Sequence, residues 1–282
     1  MRPSPDQIRQ AAYFRWQSRG GGHGRDRDDW RAAEQDLLFA LNYRVLVQYR
    51  LDAPGLPPIG GEGRRVCRFC EQAEPRASFS DPTYVLPLPE SFGNASLLAR
   101  DRCDDCHAYL EGLAAEFEAF HRSLWPETAP TAISAPAFKG LIAMALSILP
   151  IHELDHFPDS VEWVLNPNHE RDSPLFRGLG CYVHQAPTPF PAPWTVLARR
   201  VEEEDPFPYM LFFLGLGHTS FEAAVPLCSR DEEFDGGGLM IPQVATPFGP
   251  GRWPVESTST FIPLAPAPPS RSRPRLVALP GG

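Results

Sequence analysis

Cys67-Arg68-Phe69-Cys70 and Cys103-Asp104-Asp105-Cys106 are the most informative stretches of this sequence. Within each CxxC pair a tight turn lets two thiolates converge on one ion, and 32 residues separate the two pairs. Two such pairs supply the four soft ligands of a closed tetrahedral zinc site. The sequence therefore predicts a structural Zn²⁺ held by four thiolates, with no coordination position left for water or substrate. Its predicted ligands are Cys67, Cys70, Cys103 and Cys106.

The alternative interpretation is four ordinary or disulfide-forming cysteines, which would suit a secreted protein. The N-terminus is polar and shows no signal peptide, and the longest apolar runs are shorter than the roughly 20 residues that span a bilayer. We therefore expect a cytoplasmic protein with no membrane segment and reduced cysteines. Cys181 and Cys228 lie in apolar surroundings and are expected to be buried core thiols.

Composition limits the classes of partner. The formal net charge of the 282 residues is -9, and lysine occurs once, at Lys139. A generic polyanion binder is therefore excluded, and any contact with nucleic acid has to be local. No small-molecule cofactor is evident from the motifs.

The N-terminal residues read as two helices around a glycine turn. Pro5 and Asp6 begin the first helix, and Gly20-Gly21-Gly22 ends it. The pattern resembles domain-of-unknown-function family 2934, a small bacterial helical module, and this resemblance implies no chemistry. The residues that carry it are Ile8, Ala11, Tyr13, Trp16, Gly20, His23-Gly24, Asp28, Trp30 and Ala33-Glu34.

The remaining periodicities predict a mixture of helices and strands. A strand is expected at Tyr43–Tyr49 with its odd-numbered residues on one face, and helices at Tyr109–Trp125, at Ala137–Leu149 and after Pro150. Further strands are predicted at Cys181–His184, Trp194–Arg199, Tyr209–Leu216 and Phe221–Val225. From about Thr246 the chain is rich in Pro, Ser and Arg, and Ala265–Gly282 reads as disordered.

We therefore predict an α+β protein of four parts. These are a helical hairpin at residues 1–42, a four-cysteine zinc domain at 43–126, a mixed helix and strand C-terminal domain at 136–245, and a Pro-rich disordered tail at 246–282.

The zinc segment resembles bacterial HNH-endonuclease-like proteins. In those proteins a CxxC pair is followed by His-x-x-Pro-Glu-x-x-Gly-Asn and then by CxxC-Asn. The matching residues here are the two CxxC pairs, Phe79 and the stretch Leu88-Pro89-Glu90-Ser91-Phe92-Gly93-Asn94. The resemblance implies a ββα element, in which a His activates water beside one divalent ion.

Two positions depart from that pattern. Leu86, or Tyr84 if the loop is longer, stands where the family has its general-base His, and neither side chain is a base at neutral pH. His107 replaces the Asn that follows the second CxxC pair. Asn94, Asp104 and His107 remain candidate ligands for a second divalent metal. Loss of a general base costs about 10²–10⁴-fold in rate, so a non-catalytic scaffold is favoured.

His152-Glu153-Leu154-Asp155-His156 matches the HExxH pattern of zinc metallopeptidases, and His169 or Glu170 could supply a third ligand. Pro150 and Pro158 confine this helix to about two turns. The predicted function is therefore a zinc-stabilised, HNH-like protein that binds DNA or a protein partner. The alternatives are an active metal-dependent endonuclease and, behind it, a metallopeptidase.

Overall fold

The computed structural model describes residues 1–60, 65–80, 85–124, 130–167, 178–202, 206–234, 239–248 and 257–265. The predictions made for Tyr84, His169 and Glu170, and for the tail beyond Ala265, lie outside these residues.

Two of the described helices begin with a side-chain cap in front of their apolar residues. Ser4 and Gln7 form a capping box in front of Pro5, and the Ser134 hydroxyl accepts the Ala137 N–H at the start of an almost wholly buried helix. The described helices are α1 (Pro5–Ser18), α2 (Asp26–Asn42), α3 (Asp104–Ser123), α4 (Ala135–Ile148), α5 (Ile151–Leu154) and α6 (Pro158–Leu165). None of them is long and apolar enough to cross a bilayer.

The strands make one antiparallel sheet of six strands in the order β1-β3-β4-β5-β2-β6. Each of the four later strand predictions overlaps an observed strand. The described strands are β1 (Tyr43–Arg50), β2 (Gly180–Gln185), β3 (Trp194–Arg200), β4 (Met210–Leu216), β5 (Thr219–Ala224) and β6 (Thr258–Pro263).

The two edges of this sheet are β1 and β6. The strand predicted at Tyr43–Tyr49 is observed as β1, and it pairs along its length with β3. A bulge between Val45 and Val47 interrupts its alternation, so the predicted single face of odd-numbered residues is not formed. At the other edge, β6 lies within the segment predicted as a disordered tail, and that prediction is wrong for residues 258–263.

Alternation along the strands sends side chains to two different cores. One face carries Leu197, Phe212 and Phe221, which belong to one buried cluster with residues of α3 and α4 and with Cys67, Cys103 and Cys106. The other face carries Val196 and Phe213 and packs against the end of α2. The N-terminal hairpin and the cysteine segment therefore lie on opposite faces of the sheet.

The chain between β1 and α3 is largely irregular. In the described part of this segment, pairing is limited to single bridges, among them Val85 with Ala99, and Glu90–Phe92 forms a short 3-10 helix. Among the described residues of this segment, the two strands expected before α3 are not formed as regular strands.

Candidate metal centre and adjoining cleft

The first CxxC pair lies on a tight turn. The Glu71 N–H donates to the Cys67 carbonyl and the Cys67 N–H donates to the Gln72 carbonyl, both at 2.8 Å. Glu71 takes a left-handed backbone conformation, with φ of 58°, which lets the chain reverse directly after Cys70. This turn presents both sulfurs on the same side.

The second pair uses the start of a helix. Cys103 is the residue before α3 and its carbonyl accepts the His107 N–H at 2.8 Å, while Cys106 lies in the first turn. The Asp104 carboxylate accepts the Ser80 N–H at 2.8 Å. That bond joins the beginning of α3 to the chain that follows the first pair.

These two turns bring four sulfurs together. The Sγ atoms of Cys67, Cys70, Cys103 and Cys106 lie within 4.8 Å of one another, and all four cysteines are free of disulfides. The Sγ atoms of Cys70 and Cys103 are 3.7 Å apart. Zn–S bonds of about 2.3 Å in a tetrahedron place sulfurs roughly 3.8 Å apart, so the residues fit a four-thiolate metal ion.

The thiols already stabilise negative charge. The pKa of Cys67 falls to about 4, chiefly because the Cys106 thiol hydrogen-bonds to it. Burial raises the pKa of Cys103 to about 11, and the same bond to Cys67 raises the pKa of Cys106. One thiolate is thus favoured without a cation, and a bound metal ion would favour all four.

Arg68, inside the first CxxC pair, joins the centre to α4. Its guanidinium donates to the carbonyls of Leu146, Ser147 and Leu149 at 2.8 to 3.0 Å. It also donates twice to Asp101 Oδ2, at 3.0 and 2.7 Å. These bonds satisfy carbonyls at the end of α4 that have no helical partner.

Arg102, next to Cys103, is a second buried cation. Its guanidinium lies 5.5 Å from the centre of the Phe69 ring and hydrogen-bonds to the Ser147 hydroxyl. Burial, followed by repulsion from Arg68, lowers its pKa to about 10, and the thiols of Cys67 and Cys106 act in the opposite direction. The centre therefore has positive charge close to its sulfurs.

A cleft of about 1240 Å³ adjoins the first CxxC pair. Its lining is mainly apolar, with cations and anions both present at its rim. The lining includes Val47 and Tyr49 of β1, Cys67, Ile59, Val66, Ile151, Leu154, Val161 and Leu165, together with Arg65, Arg100, Glu71, Asp155 and Glu162. The metal centre, the edge strand and the α5–α6 region therefore enclose one space.

The side chain of Asn94, predicted as a candidate metal ligand, forms hydrogen bonds within its own loop. It is buried, its amide donates to the carbonyls of Leu88 and Leu97 at 2.9 and 3.0 Å, and its oxygen accepts the Leu97 N–H at 3.0 Å. These three bonds hold the two ends of the loop together, which explains why Asn94 is buried.

His107 and Asp104 do not assemble a second metal site with it. The Nε2 atom of His107 lies 3.4 Å from Glu111, and burial lowers the pKa of this histidine. The His107 Nδ1 atom is buried and has no hydrogen-bond partner among the described residues. Among all residues that the structure describes, the four cysteines are the only group of three or more His, Cys, Asp or Glu residues able to hold one ion.

The HExxH stretch is not arranged as a metallopeptidase helix. The helix α5 ends at Leu154, His152 points to solvent with its side chain 75% exposed, and Glu153 is 1% exposed. Glu153 forms an ion pair with Arg199 and accepts the Tyr209 hydroxyl at 2.8 Å. Its carboxylate is therefore committed to joining α5 to β3 and β4.

Sequence reasoning did not identify Arg68 and Arg102 as part of the centre. The signal in the sequence is that Arg68 lies inside the first CxxC pair and Arg102 directly precedes the second. A buried cation needs an anionic partner, and for Arg68 this partner is Asp101, the residue before Arg102.

Comparison with known proteins gives one finding. Residues 3–38 match the family model described as "Protein of unknown function (DUF2934)". This match covers α1 and most of α2 and supports the predicted N-terminal module. No curated protein and no solved structure matches the chain.

Proposed function

We propose that this protein is a zinc-stabilised, HNH-like scaffold of the cytoplasm that binds a partner and has lost nuclease catalysis. The observation that carries the proposal is that Cys67, one of the four clustered thiols, lines the 1240 Å³ cleft together with its neighbours Arg68 and Phe69. A metal ion there holds the first CxxC turn against α3, so the metal supports the wall of a binding surface.

The state of the candidate catalytic residues supports a non-catalytic role. Asn94 is committed to its loop, and Leu86, at the position of the family's general base, is an apolar side chain. Four thiolates leave a zinc ion no open position for water. The chemistry available at this centre is thus structural.

The lining of the cleft favours a protein segment over nucleic acid. Apolar side chains dominate, one of its arginines (Arg68) is paired with Asp101, and the lining also includes Glu71, Asp155 and Glu162. Phosphate backbones are bound by clustered, unopposed cations, and this lining presents charges of both signs. An apolar peptide with polar flanks is the occupant that suits it.

A peptide-display selection on the zinc-loaded protein tests this proposal. Ile151 lines the cleft and is 61% exposed, whereas Val201 is 53% exposed and lies elsewhere. We expect selected peptides to lose binding at least about tenfold with Ile151→Arg, because a charge would enter an apolar contact, and to tolerate Val201→Arg. Equal effects of the two variants would contradict a binding role for the cleft.

The alternative of an active endonuclease rests on His107, whose Nδ1 atom is buried without a described partner. Plasmid and single-stranded DNA are incubated with the protein and Mg²⁺, Mn²⁺ or Ni²⁺, beside His107→Ala and the exposed-histidine control His152→Ala. Metal-dependent nicking that is lost only in His107→Ala would overturn the non-catalytic proposal. Intact DNA with every metal, in zinc-loaded protein, supports it.

A further inference from the structure

Three polar side chains line up across adjacent strands on the face of the sheet opposite the metal centre. His184 on β2 pairs with Ser220 of β5 on one side and with Ser259 of β6 on the other. Glu222 is two residues beyond Ser220 and therefore points to the same face. Glu222, His184 and Ser259 thus form a row that runs from the interior of the sheet to its edge.

Hydrogen bonds connect neighbouring members of this row, from Ser259 to His184 and from His184 to Glu222. The Ser259 Oγ atom is 2.7 Å from His184 Nδ1, and His184 Nε2 is 3.1 Å from Glu222 Oε2. The Val244 N–H donates to the same carboxylate oxygen at 3.0 Å. When Glu222 is ionised its oxygen only accepts, so Nε2 then carries the imidazole proton and the lone pair of Nδ1 accepts the serine O–H.

Burial changes sharply along the row. Glu222 and His184 are 0% and 1% exposed, whereas Ser259 is exposed on the edge strand. The carboxylate and imidazole are therefore held in a fixed orientation away from water, and the hydroxyl is accessible to a reagent. This is the arrangement of a nucleophile, its base and an orienting acid.

We propose that Ser259 is an activated nucleophile that accepts acyl groups from esters, with His184 as its general base and Glu222 as the residue that positions His184. This activity goes beyond the proposed binding function and is independent of the metal centre. It concerns the opposite face of the sheet, so either proposal can fail without the other.

The reaction is a balanced acyl transfer. Ser259 Oγ forms a bond to the ester carbonyl carbon while its proton moves to His184 Nδ1. The bond from that carbon to the alkoxy oxygen breaks, and the alkoxide leaves as an alcohol with this proton. Water then attacks the acyl-serine through the same base, releases the carboxylic acid and restores the hydroxyl.

The edge position of β6 supplies a means to stabilise the developing oxyanion. Among the described strands β6 pairs only with β2, and in an antiparallel pair every second residue directs its N–H away from its partner. Either Ser259 or its neighbours Thr258 and Thr260 therefore present an outward N–H beside the nucleophile, and backbone N–H groups are the usual oxyanion donors.

Labelling of the full chain with a fluorophosphonate tests the proposal, because the serine oxygen displaces fluoride from phosphorus. The control hydroxyl is Thr260, which is exposed on the same strand and pairs with Val183, so it faces the other side. We expect one adduct, mapped to Ser259 by peptide mass, that disappears in Ser259→Ala and persists within twofold in Thr260→Ala. Folded protein without an adduct at Ser259, or with equal labelling at Thr260, overturns the proposal.

A second experiment tests whether Glu222 positions His184 or only stabilises the fold. Ser259→Cys and Thr260→Cys place a thiol at each position, and alkylation by iodoacetamide reports the activation of each one. We expect Ser259→Cys to react at least about tenfold faster, and the added change Glu222→Gln to remove most of that advantage. Equal rates for the two thiols would overturn activation by His184, even if Glu222→Gln prevents folding.

Discussion

At the scale of single residues, charge is the controlling feature of the metal centre. A metal ion with charge +2 bound by four thiolates carries a net charge of about -2, which is costly to bury without cations nearby. Arg68 is already paired with Asp101, whereas Arg102 is 6% exposed and its guanidinium hydrogen-bonds to neutral groups, the Leu86 carbonyl and the Ser147 hydroxyl. Arg102 is thus the cation positioned to offset the charge of the sulfurs.

We predict that Arg102→Met weakens metal retention by about 10–100-fold, the usual effect of losing an outer partner of a metal site. Competition with a chromophoric chelator measures this change. The control is Arg122→Met, because the Arg122 side chain is 70% exposed in the last turn of α3. Unchanged competition by Arg102→Met would show that the thiolate charge is balanced elsewhere.

The stability of the protein also depends on the charge of Glu153. It is buried with Arg199 and Tyr209 as its partners, so Arg199→Met would leave a carboxylate in the interior with one neutral donor. We predict a loss of about 3–5 kcal/mol in the free energy of unfolding, measured in urea. The neighbouring His152→Ala change should have little effect, and Glu153→Gln added to Arg199→Met should recover part of the loss.

At the scale of elements, the closest helix contact lies between α3 and α4. A Cβ atom placed on Gly140 would overlap the Leu113 carbonyl oxygen and come within 2.8 Å of its carbon. This glycine therefore sets the separation of the two helices that carry the second CxxC pair and the bonds to Arg68. Packing at that distance tolerates no added methyl group.

We predict that Gly140→Ala lowers the free energy of unfolding by about 2 kcal/mol or more, because α4 must move away from α3. Gly112→Ala is the matched control on α3, since nothing lies within 4 Å of its added Cβ. There the gain in helix propensity should stabilise the protein by about 0.5–1 kcal/mol. Thermal unfolding should therefore show a lower midpoint for Gly140→Ala and a higher one for Gly112→Ala. Shifts of the same sign in both variants would contradict the close approach of α3 and α4.

At the scale of the whole molecule, the metal centre and the sheet share one core. Cys67, Cys103 and Cys106 belong to the same buried cluster as Phe212 and Phe221 of the sheet and Phe138 of α4. Loss of the metal should consequently destabilise the entire cluster, beyond the cysteine loops themselves.

We predict that Cys103→Ser, or treatment with a strong chelator, abolishes zinc binding and removes the near-ultraviolet circular dichroism of the sheet-packed aromatic residues. The control is Cys181→Ala, a buried cysteine on β2 outside the four-sulfur group. It should retain one zinc ion per chain by elemental analysis. A Cys103→Ser protein with intact aromatic signals would show that the core folds without metal.

Local patterns allowed much of this fold to be predicted from the sequence. Periodicity of about 3.6 residues located α1, α2, α3 and α4, and apolar runs between Pro and Gly turns located β2 to β5. The CxxC spacing identified the four residues that converge, because a tight turn sets the direction of both sulfurs through nearby atoms alone. Each of these signals acts over a few residues.

Tertiary structure decided what local patterns do not encode. The pairing of β1 with β3 joins residues about 150 positions apart, and β6 forms on β2 from a stretch rich in turn residues. The commitment of Glu153 to Arg199 and the row from Glu222 to Ser259 likewise depend on strand register. The positions of the helices and the convergence of the four cysteines follow from local sequence, because their causes are local. The sheet edges, the cleft and the polar row were decided by long-range packing, since a strand finds its partner through the buried face that it completes.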